Sequence, residues 1–410
     1  MAYLGRNSSM NYVRRNEYMN QLLSWKDKQL IKVVSGVRRC GKSTLFKLYI
    51  EYLKSIGIKN EQIIEVNLED IEYEALHSYK ELYQYIKSKL YLQGSSYVFI
   101  DEVQQCDGFE RAVDSLFIQE NVDIYITGSN AYMLSGELAT LLSGRYIEIS
   151  MLPLSFKEYV EYLEVHHLAL PATFTDYVRY GSFPYAAVLE KNDITIKLYL
   201  DGIYNTILVK DISKHEGIVN VEALERIVKF LCSNIGSPIS TKKICDNINA
   251  SGRKISVNTV DRYLHALTDS FIFYRAERYD IKGRNLLKTL GKYYVVDTGF
   301  RNLLIASSSP DIGHQLENIV YLELLRRGNK VYIGKVGNNE VDFVAEGNSG
   351  RVYYQVSASV LNEETLKREL KPLQEIRDNH PKYLLTLDDI MPKANHDGIL
   401  QRNVLEWLTK

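Results

Sequence analysis

The stretch from Ser35 to Thr44 reads SGVRRCGKST, and its residue types are spaced for phosphate binding. Gly36 is followed by four residues and then by Gly41-Lys42-Ser43, the spacing of a phosphate loop. Glycines there let the backbone curl until its N–H groups converge on phosphate oxygens. Lys42 supplies a point charge for the β- and γ-phosphates, and the Ser43 hydroxyl suits Mg²⁺. With Gly36, Gly41, Lys42 and Ser43, the loop residues Arg39, Cys40 and Thr44 complete the expected contact set for ATP and Mg²⁺. A glycine turn before a helix has similar composition. Here, however, Leu30, Ile31, Val33 and Val34 read as a buried strand before the loop. STLFKLYIEYL reads as a helix after it, whose dipole adds positive potential at Lys42.

A phosphate loop needs an acid on a second strand. Tyr97 to Ile100 is an apolar strand ending at Asp101-Glu102. Asp101 is expected to hold the metal ion, through water, and Glu102 to polarise the attacking water. The next strand, VDIYITGSN, ends in Thr127-Gly128-Ser129-Asn130, and ligands bind at the carboxyl ends of parallel strands. Ser129 and Asn130 suit contact with the γ-phosphate or orientation of the water, and both also suit capping of the following AYMLSGELATLL. Arg145 follows a glycine and precedes the strand YIEIS. A guanidinium there can meet transition-state charge in its own subunit or a neighbour's; a surface ion pair is the plain alternative.

GVRRCGKST, FIDEVQ, TGSN, SGRYIEI and LPLSFKEY, in this order, resemble the prokaryotic AAA-type ATPases. More narrowly, the chain resembles the group that joins this ATPase to a C-terminal domain of long-unknown function, since YGSFPYA and EVDFVA also fit. The group's common glycine pair before Phe-Pro is Gly181-Ser182 here, a departure. The resemblance implies that Arg145 is the finger completing a neighbour's site, hence a homo-oligomer. It also makes the twin Arg38-Arg39 a group feature, which either touches phosphate or lies on the outer face of the loop.

The chain has 410 residues, enough for several domains, and 50 basic against 51 acidic residues, so any nucleic-acid site must be a local patch. No apolar run approaches the ~20 residues of a membrane span, and the first residues lack a signal-peptide core. Cys40, Cys106, Cys232 and Cys245 form no metal-like pairs, which points to a reduced, cytoplasmic protein.

After Pro153 the apolar spacing turns helical, as in SFKEYVEYLEVHHL and ITIKLYLDGIYNTILVKDI. His166, His167 and His215 read as solvated helix-end residues. From Val221 three helices follow: VEALERIVKFLCSNIG, STKKICDNI capped by Ser240, and SVNTVDRYLHALTDS, whose apolar face holds Val257, Val260, Tyr263, Leu264 and Leu267. FIFYRAERYDIKG reads as two strands of a hairpin, and three helices plus a hairpin make a winged helix. Arg253, Lys254, Asn258 and Arg262 lie before or on the third helix. Arg278, Lys282, Arg284, Lys288 and Lys292 crowd the wing, a patch that suits DNA phosphates. Winged helices equally serve as protein contacts, so DNA and a protein client both remain as partners.

The last third reads as helix, strands, helix, strand. Glu317 lies on the helix GHQLENIVYLELLRRG, Glu340 and Asp342 on the strands of NKVYIGKVGNNEVDFVAEG, and Gln355 and Ser357 on RVYYQVSASV. Helix-acid, strand-acid, then acid-x-lysine is the order of a restriction-endonuclease-like core, where a metal sits between acids and lysine meets developing charge. Here the acid is Gln355 and the lysine is Ser357, so an inactive, binding-only domain is expected. Lys335 and Lys367 are the candidates for a displaced lysine. The expected fold is thus a multidomain α/β chain: a P-loop AAA-type ATPase core over 1–154, a helical lid or connector over 155–220, a winged helix over 221–295 and a restriction-endonuclease-like α/β domain over 296–410. The expected function is ATP hydrolysis coupled to conformational change in DNA- or protein-binding domains. Alternatives are a nucleotide-dependent switch with little turnover and, less favoured, an ATP-gated nuclease.

Overall fold

The computed structural model describes residues 12–131, 142, 144–164, 169–213, 220–250, 252, 254–305, 311–389 and 394–410. Arg253, His166, His167, His215 and most of AYMLSGELATLL lie outside them. The chain divides into two compact units, one of residues 1–36, 41–151 and 161–164, the other of 37–40, 152–160 and 165–410.

The first unit is built on strands β1 (Ile31–Ser35), β2 (Ile63–Asn67), β3 (Ser96–Asp101), β4 (Val122–Gly128) and β5 (Tyr146–Ser150). They pair in parallel in the order β2-β3-β4-β1-β5. Every residue of β1 and β4 is buried, which explains their near-continuous apolar runs. The polar interruption in LIKVV is compensated: Lys32, fully buried, pairs with Asp123 on β4 and donates to the Lys28 carbonyl at 2.7 Å. The strand order matters because β3, β4 and β1 are consecutive neighbours. Their carboxyl ends, which carry Asp101, Ser129 and the phosphate loop, therefore share one edge of the sheet.

In the second unit, helices Phe156–Tyr162, Leu170–Tyr180, Pro184–Val188 and Asp193–Thr206 precede a π-helical turn, Ile207–Ser213. Three helices follow, Val221–Ser233, Thr241–Ala250 and Val257–Asp269. Ser240 Oγ accepts from the Lys243 N–H at 3.2 Å and Ser256 Oγ from the Thr259 N–H at 3.1 Å, so both helices start at hydroxyl caps. Of the apolar face read from the third helix, Val260, Tyr263, Leu264 and Leu267 are buried and Val257 is exposed.

FIFYRAERYDIKG supplies one strand of the hairpin and not both: β6 (Phe273–Asp280) pairs with β7 (Asn285–Val295), which lies beyond that stretch, and the hairpin does not stand free. β6 also pairs in parallel with β8 (Lys330–Val336), so the hairpin is the edge of a sheet that continues through the last third of the chain. The boundary expected at 295 falls within this sheet. Beyond helix Ile312–Arg326, β8, β9 (Asn339–Gly347) and β10 (Gly350–Ser357) run as an antiparallel meander. Helix Glu363–Gln374 then leads to β11 (Lys382–Thr386), parallel to β10. The short β12 (Asn395–His396) and β13 (Ile399–Asn403) complete the order β12-β13-β11-β10-β9-β8-β6-β7. No helix among the described residues is long and apolar enough to cross a membrane, and none of the four cysteines forms a disulfide.

YGSFPYA owes its form to Asp297. This buried carboxylate accepts from the Ser182 N–H at 2.5 Å, the Ser182 hydroxyl at 2.7 Å and the Phe300 N–H at 3.3 Å. Burial pushes the Asp297 carboxyl up from its ordinary range, and these donors oppose the shift. Gly181 has φ +83°, and a Cβ there would stand 2.1 Å from Asp297 Oδ1. The first position thus admits only glycine, whereas Ser182 gains a hydrogen bond that a second glycine would lack. Gly181→Ala is expected to cost at least about 1–3 kcal/mol, the scale of a forced backbone conformation. Urea unfolding of the variant checks this, and an unchanged midpoint would contradict it.

Candidate nucleotide site and a buried acid cluster

β1 ends at Ser35, and the chain turns with positive φ at Gly36 (151°), Arg39 (68°) and Gly41 (108°). Lys42 opens the helix Lys42–Ser55 and is 3% exposed. Its ammonium donates to the Gly36 carbonyl and to Ser129 Oγ, both at 2.9 Å, and lies 3.6 Å from Glu102 Oε1. Ser129 Oγ is 2.8 Å from each Glu102 carboxylate oxygen, so it accepts from Lys42 and donates to Glu102. Loop lysine, β4 serine and β3 glutamate thereby form one hydrogen-bonded chain.

Glu102 sits in the left-handed region at φ 55°, a costly conformation for a non-glycine residue. Its N–H is held at 2.9 Å by Thr127 Oγ1, which donates its own proton to Asp101. Thr127 therefore aims both acids, a role that the sequence reading did not give it. The signal was present, since a hydroxyl residue follows an apolar run at the carboxyl end of β4. Burial pushes the Asp101 carboxyl up, while hydrogen bonds from Ser43 and Thr127 pull it down. Asn130, 1% exposed, follows Ser129.

These residues fit Mg-ATP by the chemistry of the set: a helix-start lysine, a hydroxyl joined to an acid and a second acid beside them. Of the other loop residues, Thr44 is half-buried, Arg39 is exposed, and Cys40 has a buried side chain with its N–H directed to the Val37 carbonyl at 3.2 Å. The twin arginines differ. Within the second unit the buried Arg38 binds Asp211, Nε at 3.2 Å and Nη2 at 3.3 Å.

Arg145 is not brought to this cluster. It pairs with Asp114 and lies over the Phe117 ring, 5.6 Å from its centroid. Tyr146 pairs with Ile31, the first residue of β1, whereas the loop follows Ser35, the last. Parallel strands put these ends about 13 Å apart at ~3.3 Å per residue. The own-subunit reading of Arg145 is thereby corrected.

The second unit buries a different constellation. Lys292 on β7, expected on an exposed basic wing, is 3% exposed. Its ammonium lies 3.0 Å from Glu317 Oε1 on helix Ile312–Arg326 and 2.9 Å from Glu340 Oε1 on β9. The Tyr294 hydroxyl donates to Glu317 at 2.6 Å. Asp342 Oδ2 accepts the Val356 N–H at 2.8 Å, and Gln355 donates to Glu369 at 2.9 Å. Burial works against the Lys292 ammonium, but Glu317, Asp342 and Glu340 outweigh it and hold its pKa above the ordinary lysine value. One ammonium cannot neutralise three acids, and burial together with the charge of Glu317 raises the Asp342 pKa. Glu317, Asp342 and Gln355 are thus gathered as expected. Ser357 turns away to the Ser359 carbonyl at 3.1 Å, and Lys367 pairs with Glu363 on an exposed helix face. The ammonium held among these acids is that of Lys292, which GKYYVV shows as a charge inside a buried apolar strand.

A family described as an AAA domain matches residues 28–160, and a family described as a domain of unknown function, DUF8612, matches residues 171–311. An uncharacterized protein of Haemophilus influenzae is 38% identical over 399 residues, 97% of this chain and 98% of its own length. The uncharacterized protein MJ1544 of Methanocaldococcus jannaschii is 30% identical over 363 residues, 83% of this chain and 77% of its own. The chain belongs to one family with the Haemophilus influenzae protein, and its residues 28–160 match an AAA domain. Among solved structures, the Walker-type ATPase PABY2304 of Pyrococcus abyssi is similar to this chain at 15% identity. That match covers 71% of this chain and 95% of the other, with a TM-score of 0.45.

Lys292→Met leaves the buried Glu317 without the ammonium that pairs with it. The expected loss is about 3–5 kcal/mol of stability, partly recovered in Lys292→Met with Glu317→Gln. Urea unfolding of the two variants tests the pairing, and a single variant as stable as the parent would contradict it.

Proposed function

We propose that this protein hydrolyses ATP with Mg²⁺ and uses the cycle to change the conformation of domains that bind DNA or a protein client. The observation that carries the reading is the hydrogen-bonded chain from Lys42 through Ser129 to Glu102. Lys42 and the loop N–H groups would hold the phosphates, and Ser43 and Asp101 would hold Mg²⁺, whose charge offsets that of the phosphate oxygens. Glu102 would orient the attacking water and take its proton, with Ser129 and Asn130 fixing the water or the γ-phosphate. A phosphate entering beside Lys42 competes with Ser129 and Glu102 for the ammonium. Nucleotide binding and the aim of the carboxylate are then linked.

Arg145 acts on a neighbour's phosphate in this reading. Its position at the opposite strand end from its own loop supports that, and it makes the active form a homo-oligomer. The finer division keeps a helical lid over 155–220, a winged helix over 221–295 and a restriction-endonuclease-like domain over 296–410. Three capped helices before a hairpin support the winged helix, with Lys282 and Arg284 exposed on its turn as candidate phosphate or partner contacts. The helix, meander, helix and parallel strand support the last domain. The Lys292 ion pairs favour binding over cleavage there, because the acids already hold a fixed internal cation. The absence of lysine at Ser357 points the same way.

Lys42→Ala is expected to lower ATP affinity or turnover at least about tenfold, the scale of one lost charge-assisted contact. Turnover equal to the parent would remove the assignment. Arg145→Ala subunits mixed with Lys42→Ala subunits should regain activity, since the first binds ATP and the second supplies the arginine. Mixed oligomers that form yet stay inactive would argue against the trans role.

A further inference from the structure

Helices Leu170–Tyr180, Asp193–Thr206, Thr298–Leu304 and Ile312–Arg326, with residues beyond β11 and β13, enclose a cavity of about 950 Å³ in the second unit. Two of its lining residues are incomplete. Gln315 is 1% exposed, and among the described residues neither its amide nitrogen nor its amide oxygen has a hydrogen-bond partner. Arg301 is 5% exposed; its Nε donates to the Cys232 carbonyl at 3.2 Å, and among the described residues no carboxylate pairs with it. An uncompensated guanidinium and an unsatisfied carboxamide are among the costliest groups an interior can hold, and a guanidinium keeps its charge there. Their retention on one cavity wall indicates that something else completes them.

We propose that this cavity binds a carboxylate adjoining an amide N–H and an apolar body, the chemistry of a peptide-chain terminus or of a free N-acyl amino acid. The charge supports a monoanion. Arg179, Lys197 and Arg301 line the cavity against Asp193 and Asp389, and Arg179 is already paired with Asp193. One positive charge is left over, whereas a phosphate dianion would exceed it and face two carboxylates. Arg301 offers the planar fork that carboxylates prefer. Gln315 can donate to the second carboxylate oxygen, but its own oxygen needs a donor, which the amide N–H on the α-carbon that bears the carboxylate provides. Phe174, Leu200 and Ile312 supply apolar wall, and the volume suits an organic ligand much larger than acetate.

The test uses the full chain and three probes followed by calorimetry: N-acetyl-leucyl-leucine, its C-terminal amide, and a decapeptide ending in Leu-Leu with a free carboxylate. The acid is expected to bind with Kd below about 1 mM and at least about tenfold more tightly than the amide, which lacks the charge-assisted pair. Arg301→Met should lose that preference, and Gln315→Leu should weaken the acid about fivefold. Tighter binding of the decapeptide assigns a chain terminus, and equal or weaker binding assigns a free small molecule; both support the carboxylate site. Because Arg301→Met removes an unpaired buried charge, its melting temperature should be unchanged or higher without ligand. No acid binding, equal binding of acid and amide, full binding by Arg301→Met or a lowered melting temperature in that variant would each overturn the proposal. The acid–amide comparison in the unaltered protein stands even if a variant fails to fold.

Discussion

The hydrogen-bonded line from Lys42 to Ser129 to Glu102 sets the demands on the rest of the first unit. It joins the first residue of the helix that follows the loop after β1, the residue after β4 and the residue after β3, so it exists only if those strands are parallel neighbours. The order β2-β3-β4-β1-β5 meets that condition, with β4 between the other two. The buried apolar strands hold the spacing, and the Lys32–Asp123 pair ties β1 to β4 within the core. Thr127 fixes the left-handed Glu102, so the strained residue is aimed by a hydrogen bond and not by packing alone.

The second unit handles its buried charges in three ways. Asp297 is surrounded by donors from Ser182 and Phe300, which leaves glycine as the residue at 181. Lys292 is paired with acids from a helix and a strand, which makes this cluster an internal ion-pair network. Among the described residues Arg301 has one carbonyl partner, and it lines a cavity. The first two are closed by the chain itself, whereas the third is left open.

Much of the first unit is legible in the sequence, because the phosphate loop, the Asp101-Glu102 strand end and the TGSN strand end are local patterns with fixed backbone consequences. Thr127 was less legible, since its role depends on the pairing of β3 with β4. In the last third, Glu317, Asp342 and Gln355 are readable as strand and helix positions. Lys292 is not, because its partners lie far along the chain and the β6–β8 pairing that brings the hairpin into the sheet leaves no mark in periodicity. Lys292 reads from the sequence as part of a basic wing, although Lys32 shows the same pattern of a lysine in an apolar strand and is likewise buried. Arg145 was placed correctly before a strand, but residue order alone cannot tell which end of the sheet that strand start occupies.

The account depends most on Glu102 being a group that acts on water and not one that shapes the pocket. Glu102→Gln keeps the size and the hydrogen-bonding reach but removes the charge. ATP binding and single-turnover hydrolysis should be measured side by side on that variant and the parent. The expected result is nucleotide affinity close to the parent's and hydrolysis lower by about 10²–10⁴, the usual contribution of a positioned base. Hydrolysis at the parental rate, or affinity and hydrolysis lost in step, would contradict it.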